Sequence, residues 1–121
     1  MHNAAQAYGK VARQIASPRE LEANLLLRAA AQLQAVANEW PERQAELEEA
    51  LLFNRKLWTI LMTSVTSEDN PLSVEIRQNV ANLGIFVLKQ TVAATGEPHP
   101  DKLEPLVNIN RQLAAGLLGR A

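Results

Sequence analysis

Apolar residues recur along most of this chain at alternating intervals of three and four, and no segment alternates with a period of two. That pattern predicts helices throughout and no sheet. Leu26, Ala29, Leu33, Val36 and Trp40 mark one face of a helix running from Pro18 to about Glu39. Leu47, Leu51, Asn54, Trp58, Leu61 and Val65 mark the face of a helix that starts at Pro41 and reaches about Val65. Ile76, Val80, Leu83 and Val87 predict the inward face of a helix ending near Thr95. Leu103, Leu106, Asn110, Leu113 and Leu117 line a last one. Ahead of these, Asn3 to Ile15 forms a weaker amphipathic helix with Tyr8, Val11 and Ile15 on one side. Gly9 lowers its stability by roughly 1 kcal/mol relative to alanine.

The punctuation agrees with this division. In Ser17-Pro18-Arg19-Glu20, serine caps, proline suits the first helical position, and glutamate reaches back to the cap. Pro41 interrupts one helix and can begin the next. Ser67-Glu68-Asp69-Asn70-Pro71 is a turn, because Asn70 is pushed out of the helical region by the proline that follows. Ser73 caps the fourth helix, and Gly96 is expected to end it in a left-handed conformation. Asp101 is expected to cap the last helix, with Glu104 completing a capping box, and Gly119 to close it. The expected fold is an all-α, single-domain bundle over residues 1–121, with about five helices and short, mostly antiparallel connections.

Composition narrows the function classes. The chain has 121 residues, 47% apolar and 21% charged, an ordinary globular balance. It has no cysteine, which excludes disulfides, thiolate zinc sites and cysteine nucleophiles. Formal net charge is −1, with Lys and Arg scattered among carboxylates. Direct nucleic-acid binding is therefore not expected, since it normally draws on a basic face. Met1 to Ala16 resembles neither a signal nor a transit peptide. The longest apolar run, at Ile85 to Leu88, is far short of the roughly 20 residues that span a bilayer. No membrane association is expected, and a cytoplasmic location is.

Catalytic chemistry finds little footing. Glu97, His99 and Asp101 are the only cluster with metal-ligand character, and three loop residues flanked by prolines read better as a solvated linker. No glycine-rich phosphate loop is present. The acidic residues between Glu39 and Glu49 read as a solvated helix face. No enzyme activity, cofactor or metal is expected.

Asn54 and Asn110 carry more information, because both fall where an apolar stripe calls for hydrocarbon. Burying an amide without partners costs roughly 1–3 kcal/mol. Either each is satisfied inside the fold, by the other or by a helix end, or one or both face a groove that a partner helix occupies. Helix surface around Leu57, Trp58, Ile60, Leu61 and Met62, and around Leu83, Ile85, Phe86, Val87 and Leu88, is apolar nearly all round. Such helices are central to a fold or covered by something else. An exposed patch of this kind, rimmed by Arg55, Arg77 and Arg111, has the character of a docking surface.

The sequence also resembles a known family. The residues that carry the likeness are Ala7-Tyr8, Ser17-Pro18-Arg19-Glu20-Leu21-Glu22, Asn54-Arg55-Lys56-Leu57-Trp58, Asn70-Pro71-Leu72 with Arg77, and Ile109-Asn110-Arg111 leading to Gly116-Leu117. Their order and spacing are similar to those of the FlaF family of flagellar biosynthesis regulators. Ser73 stands where that family is expected to have proline. The resemblance implies a small cytoplasmic protein that promotes flagellin production or export and is associated with flagellin and with the translational regulator FlbT. It implies a flagellin chaperone as the leading mechanism, holding an amphipathic helical segment of flagellin in a groove. The partner-binding residues expected on that reading are Asn54, Arg55, Trp58, Arg77, Phe86, Asn110 and Arg111, with Trp58 as anchor. The alternative is post-transcriptional control of flagellin message, acting with or through FlbT. A homodimer built on the apolar surplus is a further expectation.

Overall fold

The structure is a computed structural model that describes residues 18–119. Four α-helices make up the described part: α1 (Pro18–Asn38), α2 (Leu47–Val65), α3 (Val74–Gly96) and α4 (Glu104–Leu117). Short 3-10 turns, Gln44–Glu46 and Pro100–Lys102, precede α2 and α4. The count is four rather than about five, because the expected helix over Asn3–Ile15 and the Ser17 cap lie outside the described residues. No strand occurs among the described residues.

The helices run up and down around one core. On α1 the buried positions Ala23, Leu26, Ala29, Ala30, Leu33 and Val36 form one stripe. Its three alanines let the backbones of α2 and α4 come close, and α1 packs most extensively on α4 and then on α2. Every position of the α2 stripe, Leu47, Leu51, Asn54, Trp58, Leu61 and Val65, is buried as the spacing requires. The guanidinium of Arg28 on α1 lies 5.5 Å from the ring centroid of Phe53 on α2. Helix α3 packs chiefly on α2 and meets α4 only sparsely.

Local signals explain the boundaries. Ser73 caps α3, accepting from the Ile76 amide at 3.2 Å. Asn70 folds the turn before it: its oxygen accepts from the Leu72 amide at 2.9 Å, and its nitrogen donates to the Ser64 carbonyl and hydroxyl. Gly119, with φ 73°, takes the left-handed conformation just past α4.

Four expectations need correction. The third helix of the sequence pattern does not start at Pro41: residues 39–43 form turns, and α2 proper begins at Leu47. Arg43 fixes this corner instead, donating to Glu39 at 2.8 Å and to both carboxylate oxygens of Glu46. Gly96 is the last residue of α3 and does not have positive φ. The last helix is not opened by an Asp101–Glu104 capping box. His99 caps the 3-10 turn, its Nδ1 accepting from the Asp101 amide at 3.1 Å, and α4 continues from that turn without a side-chain cap. Finally, Ile76 and Leu83 do not point inward. With α2 as its main neighbour, α3 needs only the narrow face Val80, Gly84, Val87, Thr91 and Ala94.

Candidate functional site

The two stripe-breaking asparagines and the tryptophan meet at the centre of the bundle. Trp58 of α2 donates its indole N–H to Oδ1 of Asn110 on α4 at 2.9 Å. Asn110 in turn donates from Nδ2 to Oδ1 of Asn54 at 2.7 Å and to the Leu26 carbonyl of α1 at 3.3 Å. The indole can only donate, so the oxygen of Asn110 must face it and the amide nitrogen must face Asn54 and Leu26. One side chain thus ties three helices together. All three residues are 0% exposed. Asn54, Asn110 and Trp58 are therefore not surface contacts of the folded chain. Their place is the core, and a partner's helix does not reach them while the bundle is closed.

The remaining expected site residues are spread out. Arg77 is not a free rim charge. Its Nη1 donates to the Ser67 carbonyl at 2.9 Å and to the Val65 carbonyl at 3.5 Å, so it closes the C-terminal end of α2. Phe86 is exposed on α3, and Arg111 is exposed on α4 next to buried Asn110. Arg55 alone lines the principal concavity.

That concavity is an open trough of about 1020 Å³ between the first half of α2 and the second half of α3. Leu47, Leu51 and Thr91 are buried and form its floor. Leu52, Leu88 and Val92 form its apolar walls, with Glu48 and Arg55 on the α2 side. Val92 is 72% exposed and Leu52 39%, which leaves hydrocarbon facing solvent on both walls. Sequence reasoning passed over Leu52 and Val92. Each looks like an ordinary residue beside a stripe, and only the antiparallel pairing of α2 and α3 sets one across from the other.

The family described as Flagellar protein FlaF matches residues 4–117 of the sequence. The chain belongs to the FlaF family. No curated protein and no solved structure matches it significantly.

In this FlaF-family chain, the Glu97–His99–Asp101 cluster does local work. His99 and Asp101 stand 3.6 Å apart on exposed side chains, while Glu97 approaches Lys102 at 3.5 Å. Among the described residues, no group of three or more His, Asp or Glu side chains converges as a metal site would require. No helix among them is long and apolar enough to cross a membrane. Among the described residues, two carboxyls are displaced, and the Arg43 guanidinium is pushed up by its bonds to Glu46 and Glu39. Burial pushes the Glu22 carboxyl up, with Arg19 partly opposing, and the hydrogen bonds from Arg43 hold Glu46 down. Neither lines the trough.

Proposed function

We propose that this flagellar protein binds flagellin in the cytoplasm, laying an amphipathic helical segment of it into the α2–α3 trough, and so acts as a chaperone that supports flagellin synthesis and export rather than as an enzyme. The observation that carries this reading is the trough itself, where Leu52 and Val92 stand exposed on the walls beside the partly buried Leu88, over a floor that includes buried Leu47 and Leu51. A channel between two antiparallel helices accepts a third helix by the same ridge-and-groove packing that holds the bundle together. Arg55 and Glu48 beside the walls offer charges of both signs to the polar margins of such a segment. A single arginine in the trough is a poor footprint for RNA, which favours helix docking over direct contact with message.

The test is a calorimetric titration of the whole chain with purified flagellin at several temperatures. The expected result is saturable binding with a negative heat-capacity change, the mark of apolar burial. Leu52→Glu and Val92→Glu are expected to weaken binding by about tenfold or more while helicity stays intact, because both side chains are already exposed. No heat with flagellin, together with salt-sensitive binding to the flagellin message leader, would reverse the reading in favour of RNA control with or through FlbT.

A further inference from the structure

Two charges stand toward opposite ends of the trough, and both lack a counterion. Glu48 and Arg55 are seven residues apart on α2 and line the same side of it, about 10 Å from each other along the helix axis. That separation is too great for them to pair. The neighbouring turns of α2 supply no partner either. The positions three and four away are Gln44, Ala45, Leu51 and Leu52 for Glu48, and Leu51, Leu52, Trp58 and Thr59 for Arg55. Across the trough, Leu88, Thr91, Val92 and Thr95 carry no charge. Among the described residues, neither the Glu48 carboxylate nor the Arg55 guanidinium makes an ion pair or a side-chain hydrogen bond. Arg43, at the corner before α2, is by contrast paired with both Glu39 and Glu46.

Between these charges the trough is apolar and short. Its α2 wall from Leu47 to Arg55 and its α3 wall from Leu88 to Gly96 each cover about 12 Å of helix axis. Just over two turns of an added helix fill that length, and two turns is also the separation of Glu48 from Arg55. A helix laid there takes water from both charges, which costs free energy unless the occupant brings a charge opposite to each. Resting on the assignment of the trough to flagellin, we infer that its occupant is a flagellin helix carrying a basic and an acidic residue about seven positions apart on one edge, the basic one meeting Glu48 and the acidic one meeting Arg55. Its other edge, toward Leu88 and Val92, is uncharged. The two residues of α2 thereby fix register and direction. Sliding the segment by one turn, about 5 Å, parts both pairs. Turning it end for end exchanges its edges and sets its charges against the apolar α3 wall. The apolar walls supply contact area, and Glu48 and Arg55 reject segments that merely share the apolar stripe.

Adjacent residues provide the controls for a test. Arg55→Glu and Lys56→Glu change the net charge equally, as do Glu48→Lys and Glu49→Lys, but Lys56 and Glu49 do not line the trough. All four side chains are exposed, so each variant is expected to keep its helicity. The whole chain is titrated with purified flagellin in dilute buffer and in about 1 M salt, where charges farther apart than about 3 Å are screened. In dilute buffer, Arg55→Glu and Glu48→Lys are expected to weaken binding about fivefold or more, and the adjacent reversals less than about twofold. In high salt the difference is expected to close, whereas Val92→Glu weakens binding in both. Flagellin bearing single charge reversals then reports the other side. One acid-to-lysine change is expected to restore binding to Arg55→Glu, one base-to-glutamate change to restore it to Glu48→Lys, and the two to lie about seven positions apart in one segment. Equal losses from the adjacent reversals, no loss at Glu48 and Arg55 where Val92→Glu still weakens binding, or restoring changes that are absent or lie in separate segments would overturn the inference and leave the trough assignment standing. No binding of flagellin by the unaltered chain would remove both.

Discussion

Trp58 and Asn110, 52 residues apart, share a 2.9 Å hydrogen bond in a site with no exposed surface, and that bond decides how Asn110 meets everything else. Its amide donates to Asn54 and Leu26, whereas the amide nitrogen of Asn54 has no hydrogen-bond partner. The two asparagines are thus unequal. Asn110→Leu strands the indole N–H and the Asn54 oxygen together, and is expected to cost about 2–4 kcal/mol. Asn54→Leu removes one acceptor but also an unsatisfied buried donor, and is expected to cost less than about 1.5 kcal/mol. Urea unfolding of the two single variants checks the order. An Asn54 variant as damaging as the Asn110 one would show that the Asn54 nitrogen is satisfied after all.

Arg77 is expected to act on stability rather than on binding. Its guanidinium supplies donors and positive charge to the last carbonyl of α2, at Val65, and to that of Ser67 just beyond it, where the helix dipole is negative. Arg77→Ala should cost about 1 kcal/mol and leave flagellin affinity, corrected for folding, unchanged. Arg77→Lys should recover part of the loss, because both bonds leave a single nitrogen and an ammonium restores charge and donors there without replacing the planar guanidinium. Thermal melts of both, alongside the calorimetric titration, separate the two roles. A loss of affinity in a fully folded Arg77→Ala chain would return this residue to the docking surface.

The two displaced carboxyls predict opposite responses to pH. Glu46 is held below its unfolded value, near 4.3, by Arg43. Its contribution is present above that value and is lost as pH falls through the lower folded value. Arg43→Gln should therefore lower the melting temperature at pH 7 and make little difference in strong acid. Glu22 is raised by burial, so its contribution is fully present below the unfolded value and is lost as pH rises through the folded one. Glu22→Gln should raise the melting temperature at pH 7, with the gain vanishing below about pH 4. Melts followed by circular dichroism at pH 7 and in acid check both signs.

What the sequence made legible follows from how far each feature reaches along the chain. The α2 stripe was readable in full because burial on that helix repeats every three or four residues and neighbours on both sides enforce it. The inward face of α3 was misread at Ile76 and Leu83 because a helix apolar on several sides gives no phase, and only its sparse contact with α4 reveals which sides stay open. Asn54 and Asn110 were readable as anomalies and their pairing as one of two alternatives, but the indole of Trp58 as the group that orients Asn110 was not, since that contact spans 52 residues. The trough was unreadable for the same reason, since Leu52 and Val92 become its opposing walls only when α2 and α3 pair.

That pairing has a pivot at Gly84, and it yields a prediction of sign reversal. A Cβ on Gly84 would lie 2.5 Å from the Met62 sulfur and 2.6 Å from its Cγ, closer than carbon atoms tolerate. The glycine therefore lets α3 approach α2 over Met62, a side chain that is only partly buried. In the native background, Gly84→Ala must displace Met62 and is expected to destabilise by about 1–2 kcal/mol, the usual range for overpacking. With Met62→Ala already in place, the obstruction is gone, and the same Gly84→Ala change should stabilise by about 0.5–1 kcal/mol through helix propensity alone. The reversal requires contact between the two positions, since independent sites would add. A double-mutant cycle in urea measures it. Equal effects of Gly84→Ala in both backgrounds would mean that the helices do not approach over Met62, and the trough walls set by that approach would then need to be redrawn.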